Sequence, residues 1–148
     1  MKLLGTKMHI DAPRDDVFAF MADVENELAW NPDVRSIRRI GAGPVTSGTE
    51  WEATYRGLGP MRVRLDAYEP TQQLAFSTTG KRMDMRFSFH FRPVDDGAFT
   101  EITVDLDVQP KGLTKLAGPF LRPVMRRTFA HRPEQLAAGI RTTQARES

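Results

Sequence analysis

Three histidines and no cysteine are all the soft donors this 148-residue chain has. Thiolate nucleophiles, Cys-based zinc sites, disulfides and thiol redox chemistry are therefore excluded. His9, His90 and His131 fall on three different predicted elements, none at metal-ligand spacing from another histidine or a carboxylate. His90 lies between Phe89 and Phe91, but alternation groups it with Arg86, Ser88 and Arg92 on a polar face, which assigns it a structural role.

Two carboxylate pairs, Glu50 with Glu52 and Asp105 with Asp107, have the spacing of half an acid/base site if either faces a cavity. Asp105 and Asp107 alternate with the apolar Ile102, Val104, Leu106 and Val108, so their place is solvent. In residues 49–56, Trp51, Ala53 and Tyr55 oppose Glu50, Glu52, Thr54 and Arg56. We read the aromatic side as inward; Glu52 or Arg56 enters a cavity only if that register is reversed. Tyr55 is then the one candidate catalytic group, with Thr78 the other polar residue of inward parity.

Phosphate and nucleic-acid chemistry find little support. Gly41, Gly43, Gly57 and Gly59 lie in turns between strands, not between a strand and a helix N-terminus as a nucleotide loop requires. Arg62, Arg64 and Arg86 alternate with Asp66 and Asp84, the pattern of a mixed-charge solvated surface. The apolar material is more distinctive. Phe76, Phe87, Phe89 and Phe91 share inward parity with Trp51, Tyr55, Val63 and Leu65, and Trp30 stands near their rim. An aromatic concavity with few polar groups is the usual form of a small-molecule site.

The elements that position these residues follow from periodicity. Residues 3–10 form a first strand, ended by Asp11-Ala12-Pro13, with Asp11 as N-cap and Pro13 as first helical residue. Val17, Phe18, Phe20, Met21 and Val24 recur at helical spacing and predict a helix over 13–22; a second short one covers Glu25 to Ala29 and ends before Pro32. From residue 34 to 109 the period is two, giving six antiparallel strands with a hairpin at Asp95-Asp96-Gly97. Leu113, Leu116, Ala117, Phe120, Leu121, Val124 and Thr128 then share one side of a helix that covers the sheet. Gly118-Pro119 bends it, and His131-Arg132-Pro133 marks a break, leaving residues 134–142 as a final turn or two. No repeat or linker divides the chain, so residues 1–148 are one domain.

Charge follows this division. The net +2 combines residues 111–148, with 8 basic and 2 acidic groups, and residues 1–110, with 13 basic and 17 acidic. Lys111, Lys115, Arg122 and Arg126 form a stripe on the back of the closing helix, which suits its solvated side or a transient contact with an anionic membrane. No run approaches the ~20 apolar residues of a membrane span, and Met1 to Ile10 lacks the apolar core of a secretory signal. A cytoplasmic location is expected.

Several strings, in order, resemble the START-like (SRPBCC) superfamily and within it the bacterial polyketide cyclase/dehydrase-type proteins. They are Ile10-Asp11-Ala12-Pro13 with Val17-Phe18-Ala19-Phe20 and Asp23; Trp30-Asn31-Pro32 with Val34; Gly48-Thr49-Glu50-Trp51; Tyr68-Glu69-Pro70 with Leu74-Ala75-Phe76; Phe89-His90-Phe91-Arg92-Pro93; and Pro110-Lys111-Gly112 with Gly118-Pro119-Phe120. The resemblance spans Met8 to about Ile140. It implies an α+β helix-grip fold: a seven-stranded antiparallel sheet wrapped around a long C-terminal helix, with two short helices after the first strand. It also implies an apolar ligand between sheet and helix, with no cofactor and no metal. Pro133 departs from the pattern, because relatives often continue the closing helix.

The resulting expectation is a protein that binds a lipid, polyketide or similar apolar molecule, as a monomer or homodimer without nucleic acid. Its ligand-binding residues would be Trp30, Trp51, Tyr55, Val63, Leu65, Phe76, Phe87, Phe89 and Phe91 from the sheet side, and Leu116, Phe120 and Val124 from the helix. The alternative is a cofactor-independent cyclase or dehydratase acting in the same cavity through Tyr55.

Overall fold

The computed structural model describes residues 2–112 and 132–147. Seven strands form one antiparallel sheet: β1 (Lys2–Ile10), β2 (Val34–Ile40), β3 (Glu50–Tyr55), β4 (Gly59–Glu69), β5 (Gln73–Gly80), β6 (Met83–Val94) and β7 (Phe99–Pro110). Their order is β1-β7-β6-β5-β4-β3-β2, so β2 to β7 are a meander and β1 returns to pair with the last strand. Helix α1 (Arg14–Ala22) and a short 3₁₀ helix (Val24–Ala29) follow β1, and α2 (Arg132–Glu147) ends the described chain. The seven-stranded sheet and the two short helices agree with the sequence reading. The helix predicted over 113–128, including Leu116, Phe120 and Val124, lies outside the described residues.

Period-two alternation decides which face of the sheet is buried. On β4, Met61, Val63 and Leu65 are buried while Arg62, Arg64 and Asp66 are exposed. On β7, Thr100, Ile102, Val104, Leu106 and Val108 point into the core. Cross-strand register aligns these positions into rows across the sheet, one being Trp51, Val63, Thr78, Met85 and Val108. Helix α1 seats Val17, Phe18 and Phe20 on this inner face, where Phe18 meets Phe91 and Tyr68 edge-on at 5.3 and 5.4 Å. Each such ring pair adds roughly 0.5–1.5 kcal/mol beyond its buried area. Helix α2 adds Leu136, Ala137 and Ile140 to the same core.

Two helix boundaries differ from the sequence reading. The N-cap of α1 is Pro13, with extended backbone and no side-chain capping bond, and Asp11 is not the cap. Asp15 and Asp16 in the first turn instead place negative charge at the positive end of the helix. Pro133 is the second residue of the described α2, and the break expected at His131-Arg132-Pro133 falls at the edge of the described residues. The helix then runs on to Glu147, well beyond the turn or two expected over 134–142. No helix of the described residues is long and apolar enough to cross a membrane.

Candidate functional site

The β3 register is the reading with the aromatic side inward. Trp51 and Ala53 are buried, whereas Glu52 is exposed and bonded to Arg38 at 2.6 Å. The Arg38 hydrogen bond holds the Glu52 carboxyl below its usual range. Glu50 takes Arg62 Nε at 2.8 Å, and Arg56 faces Asp33 at 3.9 Å. The strand's carboxylates are thus engaged on the outer face, where they cannot reach an apolar ligand. Asp105 and Asp107 also lie on the outer side, across from Ser88 and Arg86.

His90 is exposed on β6, in keeping with its polar parity. His9 is exposed as well, and its Nε2 lies 3.2 Å from Glu101 Oε2. Both histidines stand apart from the inner face.

That inner face carries a continuous line of rings. Trp51 lies 6.5 Å from Phe76, Phe76 meets Phe89 edge-on at 6.1 Å, and Phe89 stacks on Phe87 at 6.0 Å with planes 2° apart. Trp51 and Phe76 are buried, but Phe87 and Phe89 are only half-buried despite their inward parity. Val63 and Leu65 are fully packed beneath the line. Phe91 is engaged differently: it is buried against Phe18 and anchors α1. Beyond Phe87 the face continues as a separate cluster of Met61, Met83, Met85, Leu106 and Val108, to which Tyr55 and Leu58 add their rims. Methionines adapt readily to irregular ligand shapes.

Polar groups enter at the rim. The 3₁₀ helix is capped by Asp23, whose carboxylate accepts from Glu25 N at 3.1 Å, and this turn carries Glu27 towards the end of β3. Tyr55 Oη donates to Glu27 Oε2 at 3.3 Å and lies 3.4 Å from Oε1. Asn31, itself buried, donates to Glu27 Oε2 at 3.0 Å and accepts from Asp33 N, also at 3.0 Å. Trp30 packs beside this cluster against the glycine of α2, Gly139.

Tyr55 was legible from its parity. Glu27 and Asn31 were not, because their link to it spans tens of residues and leaves no local pattern.

A solvent-open cleft of about 410 Å³ lies next to the rim, lined by Tyr55, Leu58, Arg35, Arg56, Lys81 and Arg82 among others. Arg82 Nη1 donates to Gly57 O at 2.8 Å, which fixes one wall. Positive charge therefore gathers at this end of the sheet. The stripe expected on the closing helix begins differently: Lys111 is fastened to the sheet, with Nζ 2.8 Å from Asp84 and 3.1 Å from Gly80 O. Lys115, Arg122 and Arg126 lie outside the described residues.

Comparison with solved structures returns this fold repeatedly. A START superfamily protein from Mycobacterium smegmatis superposes with a TM-score of 0.75 at 18% identity, covering 97% of this chain and 99% of its own. The Zhui aromatase/cyclase from Streptomyces sp. R1128 gives 0.70 at 15% identity, over 98% and 94% of the two chains. A conserved protein from Geobacillus kaustophilus gives 0.70 at 11% identity, over 93% of each. At such identities the likeness establishes a START-like fold and no activity. Comparison with curated proteins found no match. The sequence itself matches the family described as "Polyketide cyclase / dehydrase and lipid transport" over residues 4–143. With nearly its whole length so matched, and the START-like sheet and helices in place, the chain belongs to the polyketide cyclase/dehydrase and lipid transport family.

Proposed function

We propose that the protein binds an apolar small molecule, a lipid, a polyketide or a molecule of similar shape, against the inner face of its sheet. The observation that carries this reading is the line from Trp51 through Phe76 and Phe89 to Phe87. Its last two rings are stacked, inward and yet only half-buried. Exposed aromatic area on a concave face is favourable to cover, at about 25 cal/mol per Å². The β3 carboxylates Glu50 and Glu52 are held off this face by outer-face ion pairs, which suits an apolar occupant. The family's own range, from cyclases to lipid transport, is consistent with either a carrier or an enzyme.

Native mass spectrometry of the purified protein tests the proposal directly. An apolar molecule retained at one per chain, or taken up from a panel of lipids and polycyclic aromatics, is the expected result. Failure to retain or take up any of them sinks it.

A cyclase or dehydratase is the second reading, favoured by the Tyr55–Glu27–Asn31 cluster at the rim. A phenol hydrogen-bonded to a carboxylate can relay a proton to or from a carbonyl-bearing chain folded against the rings. A poly-β-ketone substrate offered to the wild type and to Tyr55→Phe separates the readings. Ring closure that depends on the hydroxyl supports the enzyme; binding without turnover in both supports the carrier.

A further inference from the structure

We infer that Arg39 and Trp51 together form an acceptor-seeking pair on the inner face that takes the carboxylate of an apolar monocarboxylic acid; this deepens the ligand-binding reading above and rests on it. The two residues are cross-strand partners in the β2–β3 register, so their side chains leave the same face of the sheet side by side. Trp51 is fully buried, and its Nε1–H has no acceptor. The Nε–H of Arg39 is buried too and equally without one. Among the described residues these are the two buried side-chain nitrogens left unpartnered.

Buried polar groups are almost always hydrogen-bonded, since an unmet donor carries its full desolvation penalty. Two unmet donors on neighbouring residues of one face share a single economical explanation, an acceptor that arrives with the ligand. Charge narrows its chemistry. Arg38, next in the chain, is neutralised by Glu52 on the outer face. Arg39 has only the neutral carbonyl of Pro44, 3.2 Å from Nη2, and no carboxylate within ion-pair distance among the described residues. A guanidinium keeps its proton in any protein setting, so an anionic oxygen satisfies it better than a ketone. The indole N–H can only donate, which again calls for an acceptor.

The position also suits an amphiphile. Trp51 starts the ring line, so a molecule whose carboxylate sat at Arg39 and Trp51 would extend its apolar body past Phe76 towards Phe89 and Phe87. The pair would thereby fix which end of the ligand enters first.

The test is a titration of ¹⁵N-labelled protein at pH 8 with dodecanoate against methyl dodecanoate, and with anthracene-2-carboxylate against its methyl ester. The chain has 2 tryptophans, so two indole N–H signals appear, and Trp51→Phe assigns them. The acids should move the Trp51 signal downfield and bind at least about tenfold more tightly than the esters, the scale of one charge-assisted hydrogen bond. Arg39→Gln, at a half-exposed position that does not threaten folding, should reduce the acids to the affinity of the esters. Acids and esters that bind alike, with the Trp51 signal unmoved, would mean the pair holds only water. That outcome overturns the inference and leaves apolar binding intact. If neither series binds, the ligand-binding reading falls and the inference with it.

Discussion

Gly139 of α2 packs directly on Trp30: a Cβ added to the glycine would stand 2.9 Å from Trp30 Cβ and 3.3 Å from Phe20 Cζ. A Cβ moves only with its own backbone, so this neighbour cannot yield as a long side chain would. By helix propensity alone, Gly139→Ala should stabilise the protein by about 1 kcal/mol. The close approach reverses the sign, and we expect a loss of about 1–3 kcal/mol, read as a lower Tm. A raised Tm would show that α2 does not seat against Trp30.

Glu101 gathers Arg92, His9 and Lys7 around one carboxylate, with Arg92 Nη2 at 3.1 Å and His9 Nε2 at 3.2 Å. The Arg92 hydrogen bond, then that of His9, lowers its pKa from 4.5 to about 2. A carboxyl depressed in the folded state contributes stability that is complete above its unfolded pKa and lost as pH falls through the folded one. Glu101→Gln should therefore lower Tm at pH 7, by an amount that shrinks below about pH 4.5 and is mostly gone by about pH 2. Parallel melts of both proteins across that range check it, and a difference that persists at pH 2 would assign the effect to packing.

Phe76 and Phe87 should separate stability from binding. Phe76 is buried within the core, and Phe76→Ala is expected to cost about 3–5 kcal/mol in denaturant unfolding. Phe87 is half-buried, so Phe87→Ala should cost distinctly less while weakening the uptake of N-phenyl-1-naphthylamine, followed by fluorescence. Equal stability losses with unchanged uptake would remove Phe87 from the binding face.

Glu52 serves as the outer-face control. It is engaged by Arg38 away from the rings. Glu52→Ala should leave uptake of the same probe unchanged. A marked loss would mean that β3 turns its charged side inward.

Strands carried the clearest signal in this sequence. The alternation of Met61, Val63 and Leu65 with Arg62, Arg64 and Asp66 repeats at every step, and the structure follows it residue by residue. Arg39 was illegible for the opposite reason: Arg38 and Arg39 are identical neighbours, so residue type does not reveal which of the two shares a face with Trp51. The Tyr55–Glu27 contact joins groups far apart in the chain, and only the folded sheet brings the 3₁₀ helix to the end of β3. Helix ends misled where two chemistries compete. Asp11 has the side chain of a cap, but the backbone of Pro13 takes that position.

The strand order has a consequence for how the chain is made. Strands β2 to β7 can zip together one hairpin at a time as they leave the ribosome, each against the strand just before it. Among the described residues strand β1 has a single partner strand, β7, which ends at Pro110. The first strand of the sheet must therefore wait, unpaired, until the last one has been made, and the sheet is completed by its oldest segment.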